Sequence, residues 1–130
     1  MKTHNTSYTV NDYDKLFKDM GFPLASKLFA KTPKAWSEEP PNMKMFCFHG
    51  RGVFTPGTLT YKEGYFPDYP PDISPDDGDG TVNLRSLEAC QLWRSKQKQP
   101  IVYEEFIDAE HNGILGDARL IRSILRSLKE

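Results

Sequence analysis

A chain of 130 residues is long enough for one small domain with a hydrophobic core, burying roughly two thirds of its unfolded surface. Seventeen basic residues against 18 acidic ones leave a net charge of −1, which offers no footprint for a polyanion and argues against a nucleic-acid partner. Met1 to Val10 is polar and predicts no signal peptide, and nowhere do about 18 apolar residues follow one another to predict a transmembrane segment.

Tyr13, Leu16, Phe17 and Met20, behind Asn11, Asp12 and Asp14, predict a short capped amphipathic helix that Gly21 and Pro23 stop. Lys31 to Asn42, with Pro33, Pro40 and Pro41, reads as a loop. Met43 to His49 is apolar and alternating, the pattern of a buried strand, and Gly50-Arg51-Gly52 ends it. Thr58 to Tyr61 and Tyr65-Phe66, around Lys62-Glu63-Gly64, predict a small hairpin whose aromatics Tyr61, Tyr65 and Phe66 are open to a packing partner or to lipid. The proline-rich stretch from there to Asp77 reads as an irregular, solvated approach to a Gly-Asp-Gly turn.

Beyond the turn, Asn83 predicts the N-cap of a helix over Leu84 to about Lys96, with Leu84, Leu87, Cys90 and Trp93 near one face. Ile101 to Phe106 predicts a strand with Glu104 and Glu105 at its exit. A final helix from about Asp117 to Leu128 carries an apolar stripe of Leu120, Ile121, Ile124, Leu125 and Leu128, with Arg119, Arg122 and Arg126 outside it. The order strand, hairpin, helix, strand, helix fits the edge of an α/β doubly wound sheet.

The chemistry concentrates in two places. Asp79 sits between Gly78 and Gly80, and His111 follows 32 residues later on the loop after the last strand. Each alone has an ordinary explanation, since Asp-Gly pairs are turn formers and lone histidines mostly lie on surfaces or in packing. Together, in this order, they have the arrangement of the acid and base of an α/β-hydrolase triad, Ser…Asp…His. None of the nine glycines opens a Gly-x-Ser-x-Gly elbow, so the nucleophile is expected to be absent from this chain. An EF-hand frame with Gly80 at its sixth position fails, because Pro75 and Ser86 fall where carboxylates are needed. Cys47, His49, Cys90 and His111 form a zinc set only without the usual ligand spacing. The two cysteines are otherwise one disulfide or two buried thiols. Asn5-Thr6-Ser7 is a glycosylation sequon, relevant only in a secretory pathway.

Tyr8-Thr9-Val10, Asp12-Tyr13, Phe17 to Phe22, Cys47, Gly50, Gly52, Thr55-Pro56, Asp77 to Asn83, Cys90, Trp93 and Glu110-His111 together resemble the C-terminal part of the lecithin:cholesterol acyltransferase family, in its lysosomal phospholipase A and acyltransferase branch. The resemblance implies the C-terminal part of an α/β-hydrolase fold spanning residues 1–130, with 1–42 a lead-in and 43–130 carrying the triad acid Asp79 and base His111. It further implies a Cys47–Cys90 disulfide in an oxidising, secreted or lysosomal compartment, worth roughly 4 kcal/mol in the chain-entropy model. The implied reaction uses a serine acyl-enzyme and no metal or other cofactor, with phospholipid and lipid alcohol as substrates. Two departures stand out: His49 occupies an expected aromatic position, and Pro23 to Asn42 is shortened and rewritten. The alternative is a non-catalytic module that binds a partner, such as a nucleophile-bearing N-terminal fragment, through an open sheet edge.

Overall fold

Two small sheets and four short helices make up the structure, a computed structural model that describes residues 1–32 and 39–129. In chain order they are α1 (Tyr13–Asp19), α2 (Pro23–Lys31), β1 (Met45–Arg51), β2 (Thr55–Thr60), β3 (Asp72–Asp76), α3 (Leu84–Leu87), β4 (Ile101–Ile107) and α4 (Ala118–Ser127). Two 3₁₀ turns, Glu88–Trp93 and Gly113–Gly116, complete them. The chain divides into two compact units, Met1–Ser37 with Thr58–Ser74, and Glu38–Gly57 with Pro75–Glu130.

In the first unit α1 forms as its apolar spacing predicts. It ends in a Schellman cap in which Gly21, at φ 73°, donates to the Lys18 carbonyl at 3.0 Å and Phe22 to the Phe17 carbonyl at 2.8 Å. Pro23, expected only to stop α1, also occupies the first turn of α2, where its missing N–H costs nothing. The helix α2 was not predicted, and the available sign of it was proline followed by Leu24, Leu28 and Phe29. It packs Phe29 against Tyr13 and Phe17, with ring centroids 5.0 and 6.0 Å apart. Of the expected loop from Lys31 to Asn42, Lys31 belongs to α2 and residues 33–38 lie outside the described residues.

The predicted hairpin is corrected. Tyr65 and Phe66 lie in turns, and the partner of β2 is β3, drawn from the stretch read as irregular. All five residues of β3 are exposed, so burial left no alternation to read in the sequence. The aromatic rings instead pack locally, Phe66 against Tyr61 at 5.2 Å and against the buried Tyr8 at 6.0 Å.

In the second unit β1 and β4 pair in parallel, from Met45 opposite Ile101 to Arg51 opposite Ile107. Glu104 and Glu105 therefore lie inside β4 and not at its exit. Phe106, Ala109 and Leu120 form the buried cluster, with Phe48 and Ile114 packed on it. The predicted helix from Leu84 to about Lys96 is instead one α turn followed by 3₁₀ turns to Trp93. Asn83 has the extended backbone of an N-cap but does not cap α3: its side-chain amide donates to the Pro56 carbonyl at 3.1 Å. The last helix forms as expected, capped by Asp117, whose carboxylate accepts from the Arg119 N–H at 2.8 Å.

Candidate active site

The Gly78–Gly80 turn is built from its own backbone. Gly78 and Asn83 form an antiparallel bridge, Asp79 pairs with Val53 in a parallel one, and the Asp79 N–H donates to the Val82 carbonyl at 3.2 Å. Thr55, wholly buried, receives the Gly80 N–H on its hydroxyl at 2.9 Å and donates to the Val53 carbonyl at 3.0 Å. A Cβ on Gly78 would stand 2.2 Å from the Val82 carbonyl oxygen and 2.5 Å from Thr55 Oγ1, and Gly80 has φ 89°. The two glycines are thus required for close approach and for backbone conformation, respectively.

That turn aims the Asp79 carboxylate inward, where the side chain is 5% exposed. Its Oδ1 accepts the Thr81 and Val82 N–H groups at 3.0 and 2.8 Å, and its Oδ2 accepts His111 Nδ1–H at 2.8 Å. The backbone reinforces the pair, because the His111 N–H donates to the Asp79 carbonyl at 2.8 Å. Burial alone pushes the Asp79 carboxyl upward. The Val82 amide, the His111 imidazole and the Thr81 amide outweigh it together and hold the group below the usual carboxylate range.

With Nδ1 donating to the carboxylate, the neutral ring keeps its lone pair on Nε2. Nε2 has no hydrogen-bond partner among the described residues, and the His111 side chain is 44% exposed. It lines an open cleft of about 320 Å³ together with Val53, Phe54, Thr81, Glu110 and Asn112. The arrangement can accept a proton at Nε2 and stabilise the resulting imidazolium through a buried carboxylate, the work of a general base with its orienting acid.

Cys47 on β1 and Cys90 in the 3₁₀ turn are joined in a disulfide with Cα atoms 6.6 Å apart. That pairing removes both thiolates from the zinc set considered above. His49 is instead bonded to Gly50 and Tyr103. Asn5 is exposed. Sequence reading missed Thr55, whose place under Gly80 had no signal beyond its Thr-Pro pair. It also missed Arg51, which binds Asp77 Oδ2 and Glu105 Oε2 at 2.8 and 2.9 Å.

A buried carboxylate bonded to a histidine that lines an open cleft thus lies in the same unit as a parallel strand pair whose β1 is tied by a disulfide to a 3₁₀ turn, in a mixed helix and strand chain. The family model described as lecithin:cholesterol acyltransferase matches residues 2–118. The lysosomal phospholipase A and acyltransferases of Homo sapiens and Mus musculus are each 36% identical over 129 residues, covering 98% of this chain and 31% of their own length. The phosphatidylcholine-sterol acyltransferase of Papio anubis is 32% identical over 102 residues, 78% of this chain and 23% of its own. The chain belongs to the lecithin:cholesterol acyltransferase family, and it spans about a third of the length of the first of these relatives. No helix among the described residues is long and apolar enough to cross a membrane.

Proposed function

We propose that this chain supplies the acid and base of a Ser-Asp-His triad in a lipid acyl hydrolase or O-acyltransferase, as the C-terminal part of an α/β-hydrolase fold. The serine is expected from outside these 130 residues. The observation that carries the reading is the 2.8 Å bond from His111 to the buried Asp79, which leaves Nε2 unbonded at the cleft. In that reaction His111 Nε2 takes the serine proton as the oxygen attacks the ester carbonyl. It then returns the proton to the departing lipid alkoxide, leaving an acyl-enzyme. Water or a lipid alcohol next attacks the acyl carbon, its proton passing through Nε2 back to the serine, while Asp79 holds the tautomer and stabilises the imidazolium. The names of the relatives make phospholipid and lipid alcohol the expected substrates.

The Cys47–Cys90 bridge supports an oxidising compartment, secreted or lysosomal, in which exposed Asn5 is the expected glycosylation site. A second reading, a non-catalytic partner-binding module, draws on the exposed apolar residues Ile121, Ile124, Leu125 and Leu128 of α4 and its C-cap. One experiment addresses both. Residues 1–130 are assayed for phospholipid hydrolysis alone and after co-expression with the part of the human relative that this chain does not match. The triad reading expects background activity alone and recovered activity in the mixture, abolished by His111→Ala. Activity of the isolated chain that depends on His111 would refute the missing serine, and binding without activity would favour the module.

A further inference from the structure

One short segment, Val53-Phe54-Thr55, anchors the acid turn on both sides of Asp79. Before the acid, the Val53 N–H donates to the Gly78 carbonyl at 3.0 Å. After it, the Gly80 N–H donates to Thr55 Oγ1 at 2.9 Å, and that hydroxyl donates in turn to the Val53 carbonyl at 3.0 Å. The three bonds close a ring that runs from Gly78 through Asp79 and Gly80 to the Thr55 side chain and back by way of Val53. Val53 and Phe54 also line the cleft beside His111, so the anchor of the acid and a wall of the cleft are the same piece of chain.

Counting donors fixes the direction of every bond in the ring. An amide N–H only donates and a carbonyl only accepts, so the Thr55 hydroxyl must accept from Gly80 and give its one proton to Val53. Thr55 is wholly buried, and a Cβ on Gly78 would stand 2.5 Å from its Oγ1, so the hydroxyl sits too close to the turn for a water to replace it. The residues after Gly80 depend on this bond. Thr81 and Val82 follow at once, and their N–H groups hold Asp79 Oδ1 at 3.0 and 2.8 Å while Oδ2 takes His111 Nδ1–H at 2.8 Å. Gly80 stands at φ 89°, and a glycine leaves that conformation freely, so nothing intrinsic to it keeps the two amides aimed. The substitution Thr55→Val keeps the shape of the side chain but turns a methyl group to the Gly80 N–H, which then has no acceptor among the described residues.

We propose that Thr55 is a positioning residue for the acid–base pair: its hydroxyl, taking the Gly80 N–H and giving its own proton to Val53, holds the turn in the conformation that directs Asp79 Oδ2 to His111 Nδ1. The inference rests on the acid–base reading of that pair, but its test reads geometry and needs no serine. The oxidised 130-residue chain is labelled with ¹⁵N, and the His111 tautomer is read from long-range ¹H–¹⁵N correlations in alkaline buffer, where imidazole rings are neutral. The His111→Gln variant assigns the ring. A free neutral imidazole prefers its proton on Nε2, so the Nδ1–H form reports the bond to Asp79. Wild type and Thr55→Ser, which keeps the hydroxyl, are expected in the Nδ1–H form. Folded Thr55→Val is expected to pass mainly to the Nε2–H form, with loss of exchange protection at the Gly80 amide. A folded Thr55→Val that retains the Nδ1–H form overturns the proposal. So does Thr55→Ser that loses it while its Gly80 amide stays protected, a result that needs no folded Thr55→Val. A wild-type ring in the Nε2–H form would sink the acid–base reading together with the proposal, whereas the other two outcomes strike Thr55 alone.

Discussion

The Asp79 turn and helix α4 belong to the same unit and have opposite surfaces. At the turn Asp79 is 4% exposed and Thr55 of β2, which accepts from Gly80, is 0% exposed, and both carboxylate oxygens of Asp79 have partners. In α4 Leu120 and Ser123 are buried, whereas Ile121, Ile124 and Leu125 are 43 to 55% exposed and Leu128, at its C-cap, 78%. The polar site is complete in itself because its partners are backbone groups a few residues away and one histidine. The apolar stripe needs a surface to cover it, which a helix cannot supply for itself. Local hydrogen bonding can therefore be completed by a few neighbouring groups, whereas burial of an apolar stripe needs a second surface.

The largest expected effect tests the turn. Where co-expression restores activity as proposed, Asp79→Asn should lower kcat on the order of 10⁴-fold through loss of the histidine tautomer, with circular dichroism unchanged. A fall of less than tenfold would mean that Asp79 is a turn former only. Next comes the disulfide, which lies outside both regions: Cys47→Ser with Cys90→Ser should lower unfolding free energy in urea by about 4 kcal/mol, from the entropy of a 43-residue loop. Gly78→Ala forces its Cβ against the Val82 carbonyl and Thr55, and should cost about 1 to 3 kcal/mol, with loss of the His111–Asp79 bond by NMR.

Acid sharpens the contrast further. The Asp79 value is depressed in the folded state, so its contribution is present above the ordinary aspartate value of about 4 and is lost as pH falls through the lower folded value. Unfolding midpoints of wild type and Asp79→Asn should therefore converge only below about pH 4. The smallest effect is on α4, where Ile124→Lys or Leu128→Lys should change the stability of the isolated chain by less than about 0.5 kcal/mol. The same substitutions should weaken co-purification with the unmatched part of the human relative, which tests whether that part covers the stripe.

Much of the site was legible because it is local. Asp79 between two glycines, His111 after a strand, and the apolar positions of α4 are patterns whose periodicity or turn chemistry is set within a few residues. The pairing of Cys47 with Cys90 came only from resemblance, since spacing alone left two thiols equally open. The strand β3 was missed because all its residues are exposed, and the predicted helix over Leu84 to about Lys96 was overextended because apolar spacing near 3.6 does not separate an α turn from 3₁₀ turns.

By itself the sequence determined that Asp79 stands in a glycine turn, that His111 follows a strand, and where the apolar stripe of α4 runs, because glycine placement, capping and side-chain periodicity act over short range. Tertiary structure alone decided that Thr55 closes the turn beneath Gly80 and that Asp79 and His111 meet at 2.8 Å. It also decided that Arg51 joins Glu105 to Asp77. These contacts link residues 25 to 54 positions apart, so no local pattern in the sequence announces them.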